Sequence, residues 1–277
     1  MSYRTIMIQL LDDEGLESRL SLAHRLASMF DAHLRGVHVM APPMLTLGFG
    51  EGAAYGSSDV IRLQREAAEA LAERVRARFE SFMHGKAVSF DFRLEHGDPA
   101  DRYAALARTA DLMVVPRSVA SGIDALVPEI CEQLAMSSGV PTLMVPAEAE
   151  LSEGTAFANR IIVAWSGTRE SCRALRDALP LLERAGNVRI VSVGDRKTLD
   201  IEALLDGLER RNIRPELHLV EDSASDAGEV IRADVESWNA DLLVMGVYGH
   251  ARWSELVFGG VTRHVLERVS IPVLFSA

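Results

Sequence analysis

Along the chain, apolar runs of four to six residues alternate with stretches whose apolar positions recur every three or four residues. The first kind is apolar on both faces, which suits parallel strands covered by helices on two sides. The second is the mark of an amphipathic helix. Ile6-Met7-Ile8-Gln9-Leu10 is the first run, and residues 16–31 follow with Leu16, Leu20, Ala23, Leu26, Ala27 and Phe30 along one helical face. The pattern then predicts a strand at 34–40, a long Ala/Glu/Arg-rich helix at 58–83 and a strand at 88–94. A helix at 98–109, a strand at 112–115, a helix at 123–137 and a strand at 142–145 complete the series.

After the Glu/Ala/Ser-rich stretch 147–158 the series begins again. Strands at 160–165, 188–193, 216–220, 242–245 and 273–275 alternate with helices at 169–184, 201–211, 227–238 and 260–269. Three pairs of runs match in the same order. Ile6 to Leu10 matches Ile161-Ile162-Val163-Ala164-Trp165, and Asp111-Leu112-Met113-Val114-Val115-Pro116 matches Asp241-Leu242-Leu243-Val244-Met245-Gly246. Gly139-Val140-Pro141-Thr142-Leu143-Met144-Val145 matches Ser270-Ile271-Pro272-Val273-Leu274-Phe275. A duplication follows, and 277 residues suffice for two domains, expected at 1–147 and 159–277. The expected fold is α/β, as two tandem doubly wound five-stranded parallel sheets flanked by helices. Such sheets bind ligands beyond the carboxyl ends of the strands where strand order reverses, here the ends of strands one and four of each half.

At that place in the second half the chain reads Gly246-Val247-Tyr248-Gly249, then residues 250–258, then Gly259-Gly260-Val261-Thr262 opening the last helix. Gly246 and Gly249 let the backbone turn tightly and approach a ligand without a Cβ. Gly259 and Gly260 bare amide N–H groups at a helix N-terminus, where the dipole favours phosphate. The Thr262 hydroxyl in the first turn is a further candidate donor. His250 lies inside the loop and either approaches a ligand or faces solvent.

On these residues both halves resemble the universal stress protein family, whose nucleotide-binding members carry Gly-x2-Gly-x9-Gly followed by Ser or Thr. The resemblance implies a Rossmann-like, adenine nucleotide alpha hydrolase-like fold. It also implies ATP or a related adenine nucleotide in the second half, alone or with magnesium. The loop would wrap the phosphates, while Ala164, Trp165, Ser166 and Gly167, with Val193, would hold base and ribose. In this family last strands pair between domains, so 142–145 and 273–275 are expected to meet within the chain. A homodimer of chains is left open. The sequence departs from the family pattern twice: Gly260 replaces the hydroxyl expected after Gly259, and Ser166 stands where an acid is frequent.

In the first half Pro116-Arg117-Ser118-Val119 replaces Gly-x2-Gly, and Pro116 has no N–H to offer. The segment 121–128 has one glycine, Gly122, at the wrong spacing, so this phosphate loop is degenerate and the half is expected to pack against its twin. Gly48, Gly50, Gly52 and Gly56 loosely imitate a dinucleotide fingerprint, but they follow Pro42-Pro43 in an insertion read as a mobile loop.

Composition removes other classes. A formal net charge of −11 argues against sequence-independent nucleic-acid binding. The apolar runs are too short to span a membrane, and no signal peptide is visible, so the cytoplasm is the expected location. Cys131 and Cys172 provide no disulfide framework, and the eight histidines show no metal-ligand spacing. The leading expectation is a nucleotide-responsive stress-response module with an unidentified protein partner. A slow ATP hydrolase would need a base and a metal-holding carboxylate, and Glu255 is the only acid inside the loop. A scaffold that binds no nucleotide is the third reading.

Overall fold

The computed structural model describes residues 2–42, 57–117, 128–149, 157–194, 200–221, 226–247 and 260–277. In the first half these form β1 (Thr5–Gln9), α1 (Leu16–Phe30), β2 (His33–Met40), α2 (Ser57–Met83), β3 (Phe90–His96), α3 (Pro99–Ala107), β4 (Leu112–Pro116), α4 (Pro128–Ser137) and β5 (Thr142–Val145). The second half contains β6 (Arg160–Ala164), α5 (Arg169–Leu182), β7 (Asn187–Val193), α6 (Ile201–Glu209) and β8 (Glu216–Val220). It continues with α7 (Ala227–Ser237), β9 (Leu242–Gly246), α8 (Gly260–Arg268) and β10 (Val273–Ser276).

The helices start and stop where local chemistry directs. Asp98 caps α3 by accepting from the Asp101 N–H, with Pro99 opening the helix where its missing N–H costs nothing. Asp226 caps α7 through the Gly228 N–H. Asp31 ends α1 in a left-handed conformation, with φ of 50°. β3 lies two residues later than its apolar run suggests, because its position is set by pairing along β2 from Leu34↔Phe90 to Met40↔His96. The glycine-rich insertion and the segment carrying Gly122 lie outside the described residues.

The described strands form one sheet in the order β3-β2-β1-β4-β5-β10-β9-β6-β7-β8. Each half is parallel within itself. The halves join where β5 and β10 run antiparallel, pairing Val273↔Met144, Leu274↔Leu143 and Phe275↔Thr142. The two last strands therefore meet within the chain. Because that junction is antiparallel, the carboxyl ends of the two sets of strands open on opposite edges of the sheet.

The duplication extends to individual hydrogen bonds. The Asp111 carboxylate accepts from the N–H groups of Arg4 and Thr5, and that of Asp241 from Asn159 and Arg160. His38 donates to the Leu10 carbonyl at 2.9 Å, and Ser192 donates to the Trp165 carbonyl at 2.6 Å. Met113 N–H reaches the Pro141 carbonyl as Leu243 N–H reaches that of Pro272. Buried polar groups must find partners, and both halves solve the same problems with the same positions.

Two apolar layers cover the sheet, and each runs through both halves. One unites Leu20, Leu26 and Phe79 with Ala178, Leu181 and Leu274; the other unites Tyr103 and Leu134 with Val235, Val265 and Phe275. Polar contacts cross the junction too. The Tyr3 hydroxyl donates to the Asp177 carbonyl at 2.5 Å, burial and the nearby Asp177 charge pushing its pKa up. Arg173 donates to the Gly139 carbonyl at 2.9 Å, and Arg117 grips both the Val269 carbonyl and the Glu148 carboxylate.

A core continuous across the junction predicts one cooperative unfolding transition. All three tryptophans, Trp165, Trp238 and Trp253, lie in the second half, so their fluorescence reports that half while circular dichroism reports both. The two probes should give coincident denaturation curves. Leu274→Ala, at a fully buried junction position, should shift both together by roughly 2–5 kcal/mol. Curves that separate would show the halves to be thermodynamically independent.

Candidate functional site

In the second half β6 lies between β7 and β9. The chain leaves β6 through α5 and leaves β9 through α8, and the two helices pack on opposite faces of the sheet. They part at the carboxyl ends of β6 and β9, the switch point at which doubly wound sheets bind ligands. In a parallel sheet, helices that follow these strands begin at that same edge. The positive dipole ends of α5 and α8 are therefore both brought to that edge.

The floor on the β6 side is Ala164-Trp165-Ser166-Gly167. Ala164 is half-buried at the strand end, beside Met245 of β9. Trp165 extends the ladder by one residue, its N–H donating to the Val191 carbonyl at 2.8 Å. Its indole packs against the core on the α5 side of the sheet. Ser166 and Gly167 are exposed, and Gly167 turns the chain with φ of +69°, a conformation glycine adopts without strain. Thr168 then caps α5 in a reciprocal box with Ser171, and the Ser166 hydroxyl lies 3.0 Å from that of Thr168. The capping role of Thr168 was missed from sequence because Ser171 stands where Glu or Gln usually signals such a box. Val193 ends β7, next to β6, and is half-buried.

Gly246, at the end of β9, serves packing. A Cβ there would stand 2.5 Å from the Glu170 carbonyl carbon and 2.6 Å from the Ser171 nitrogen. The first turn of α5 crosses directly over this glycine, so the space read from sequence as room for a ligand is filled by backbone. Thr262 also differs from expectation. At 4% exposure its side chain is turned into the protein, whereas Val261 beside it is 36% exposed. Gly260 opens α8. Gly249, His250 and Gly259 lie outside the described residues, as does Trp253. The structure thus brings Ala164 to Gly167 together with Gly246 at adjacent strand ends, with Val193 one strand further and Gly260 to Thr262 in the first turn of α8.

The corresponding end of the first half is occupied by its own ion pairs. Asp13 takes a two-pronged hydrogen bond from Arg19, both contacts 2.8 Å, and Arg19 is almost wholly buried. Asp12 accepts from Arg78 at 2.8 Å and Arg74 at 3.4 Å. The Arg78 hydrogen bond, supported by Arg74 and opposed by burial, holds the Asp12 carboxyl below its usual range. Pro116 ends β4, and Arg117 after it is committed to Val269 and Glu148.

The model of the universal stress protein family matches residues 2–146 and again residues 158–276. The chain belongs to the universal stress protein family. Among solved structures it is similar to a universal stress protein from Archaeoglobus fulgidus DSM 4304, with TM-score 0.73 and 16% identity over 98% of this chain and 97% of that one. A functionally unknown protein from Pseudomonas aeruginosa PAO1 matches with TM-score 0.62 and 14% identity over 99% and 92%. The cytoplasmic domain of a prokaryotic cation chloride cotransporter matches with TM-score 0.51 and 11% identity over 98% and 94%. At these identities the structures establish the shared fold. A comparison with curated proteins gave no match. Among the described residues no helix is long and apolar enough to cross a membrane, and no group of three or more His, Cys, Asp or Glu could hold a metal ion.

The packing role of Gly246 predicts that Gly246→Ala destabilises the protein by about 1–3 kcal/mol, because the clashing atoms are backbone. Thr168→Ala should cost about 1 kcal/mol through the lost cap. Urea unfolding without added ligand measures both. An unchanged midpoint in Gly246→Ala would mean that α5 can withdraw, and would return this glycine to a role in ligand approach.

Proposed function

We propose that the switch point between β6 and β9 binds ATP or a related adenine nucleotide, and that the protein acts as a nucleotide-responsive regulatory module. The observation that carries this reading is the convergence of two helix N-termini, those of α5 and α8, on the switch point of the second half. First-turn amides and aligned dipoles at one edge favour a polyanion such as a phosphate chain. The exposed hydroxyl of Ser166, beside Thr168, supplies neutral hydrogen-bonding capacity where an acid is frequent in the family. Ser166 can accept or donate, so it tolerates a ribose or a base edge without adding negative charge near phosphate. Hydrolysis has less support, since neither hydroxyl is a base at neutral pH. The first half, its strand-end carboxylates already paired, contributes the packing surface for its twin.

Calorimetric titration of ATP, with and without magnesium, tests the reading against Val261→Asp. An acid in the first turn of α8 is compatible with the helix dipole, so the helix is retained while phosphate is repelled. The expected result is saturable binding by the wild type and at least about tenfold weaker binding by the variant, a difference of about 1.4 kcal/mol. Wild-type heats equal to buffer would leave the scaffold reading in its place.

A further inference from the structure

β3 and β8 are the outer strands of the ten-stranded sheet, and they differ in what they show to solvent. Among the described residues five large apolar side chains are exposed: Val60, Leu63, Phe90, Leu94 and Val261. Four of the five lie on β3 or on α2, the helix packed over β2 and β3. Phe90 and Leu94 are each 38% exposed on the edge strand itself, whereas β8 exposes none.

The backbone of β3 is available in a defined phase. Leu34 N–H donates to the Ser89 carbonyl, and Gly97 N–H donates to the Met40 carbonyl. The odd-numbered residues of β3 therefore turn their peptide groups toward β2. The N–H and C=O groups of Phe90, Phe92 and Leu94 point away from the sheet, and no described strand pairs with them.

We propose that a second copy of this chain pairs with that edge, β3 against β3, antiparallel about a two-fold axis through Phe92. The sequence Phe90-Asp91-Phe92-Arg93-Leu94 complements itself under that operation. Phe90 falls opposite Leu94 of the second copy, Asp91 opposite Arg93, and Phe92 opposite Phe92. The three outward-facing residues of each copy meet one another in phase, for about six inter-chain hydrogen bonds. Each exposed apolar side chain of the strand gains an apolar neighbour, and the Asp91–Arg93 ion pair within each chain meets its opposite-sign counterpart across the axis.

Other registers fare worse. An axis through Arg93 sets Arg93 against Arg93 and Asp91 against Glu95. An axis through Asp91 sets Asp91 against itself. An axis through Leu94 pairs Arg93 with Glu95, but leaves Phe90 without a neighbour. Asp91 is held as a carboxylate at neutral pH: although burial opposes it, hydrogen bonds from His33, Arg93 and Arg35 keep its pKa below the usual range. The interface is isologous and closes at two copies. It does not depend on the proposed nucleotide site, which lies in the other half.

Light scattering after size exclusion, over a concentration series, tests the pairing on the full chain. The wild type should approach twice the 30.3 kDa of one chain. Arg93→Asp, which sets an acid opposite Asp91 of the second copy on both sides of the axis, should weaken dimerisation at least about tenfold. Asp91→Arg combined with Arg93→Asp should restore it. Leu94→Pro removes an outward N–H that no bond within the sheet uses, and should also give monomers, with circular dichroism confirming the fold. A wild type of single-chain mass at every concentration would overturn the proposal. So would a dimer indifferent to both Arg93→Asp and Leu94→Pro, a charge swap that fails to restore pairing, or masses that grow beyond two chains.

Discussion

The antiparallel pairing of β5 with β10 is the contact on which the rest of the molecule depends. Each strand is the last of its half and is buried along its length, so neither half could leave it unpaired in water. Three paired positions fuse two parallel sheets into one and carry both apolar layers across the seam. The same pairing sets the orientation of the halves. Their strand ends open on opposite edges, and α8 runs from the second-half switch point toward the first-half strand ends. That geometry explains how Arg117, just beyond β4, can reach the carbonyl of Val269 at the far end of α8. A cation there also complements the negative end of the helix dipole.

Much of this architecture was legible in the chain. Runs such as Leu112 to Val115 are apolar on both faces, a pattern that only a doubly covered strand sustains, and their repetition in the second half announces the duplication. β3 was misplaced by two residues because an edge strand carries no such signature. Its Phe90, Phe92 and Leu94 alternate with charges, and its limits are fixed by β2 across the ladder. Pairing partners are non-local information, and a local pattern does not contain them.

The sequence points to the switch point of the second half and says less about its detail. Fold topology alone places it where α5 and α8 diverge. Sequence spacing does not reveal why a given residue lacks a side chain. Gly246 has the right neighbours for a phosphate loop, yet its missing Cβ is accounted for by the backbone of Glu170 and Ser171. Thr262 shows the same ambiguity in another form. Its place in the first turn of α8 was correct, but which side of the helix faces the protein depends on how α8 lies against the sheet, and there Thr262 is inward and Val261 outward.

The asymmetry between the halves has an electrostatic cause beyond the lost glycines. Arg19 is buried, and a buried guanidinium is tolerated only when well paired, so Asp13 is fixed in place by the need to neutralise it. Asp12 is likewise engaged by Arg74 and Arg78 of α2, a helix much longer than α6, its counterpart in the second half. Among the described residues no such pair forms at Gly167 and Thr168, which stand at the same distance beyond the first strand of the second half. Its described groups at that edge are the neutral hydroxyls of Ser166 and Thr168 and the backbone of Gly167. The first half could take the same form only by breaking contacts that hold α2 against the β1–α1 turn. One half of the duplicated fold has committed this edge to ion pairs of its own, and the other holds it with the neutral hydroxyls of Ser166, Thr168 and Ser171.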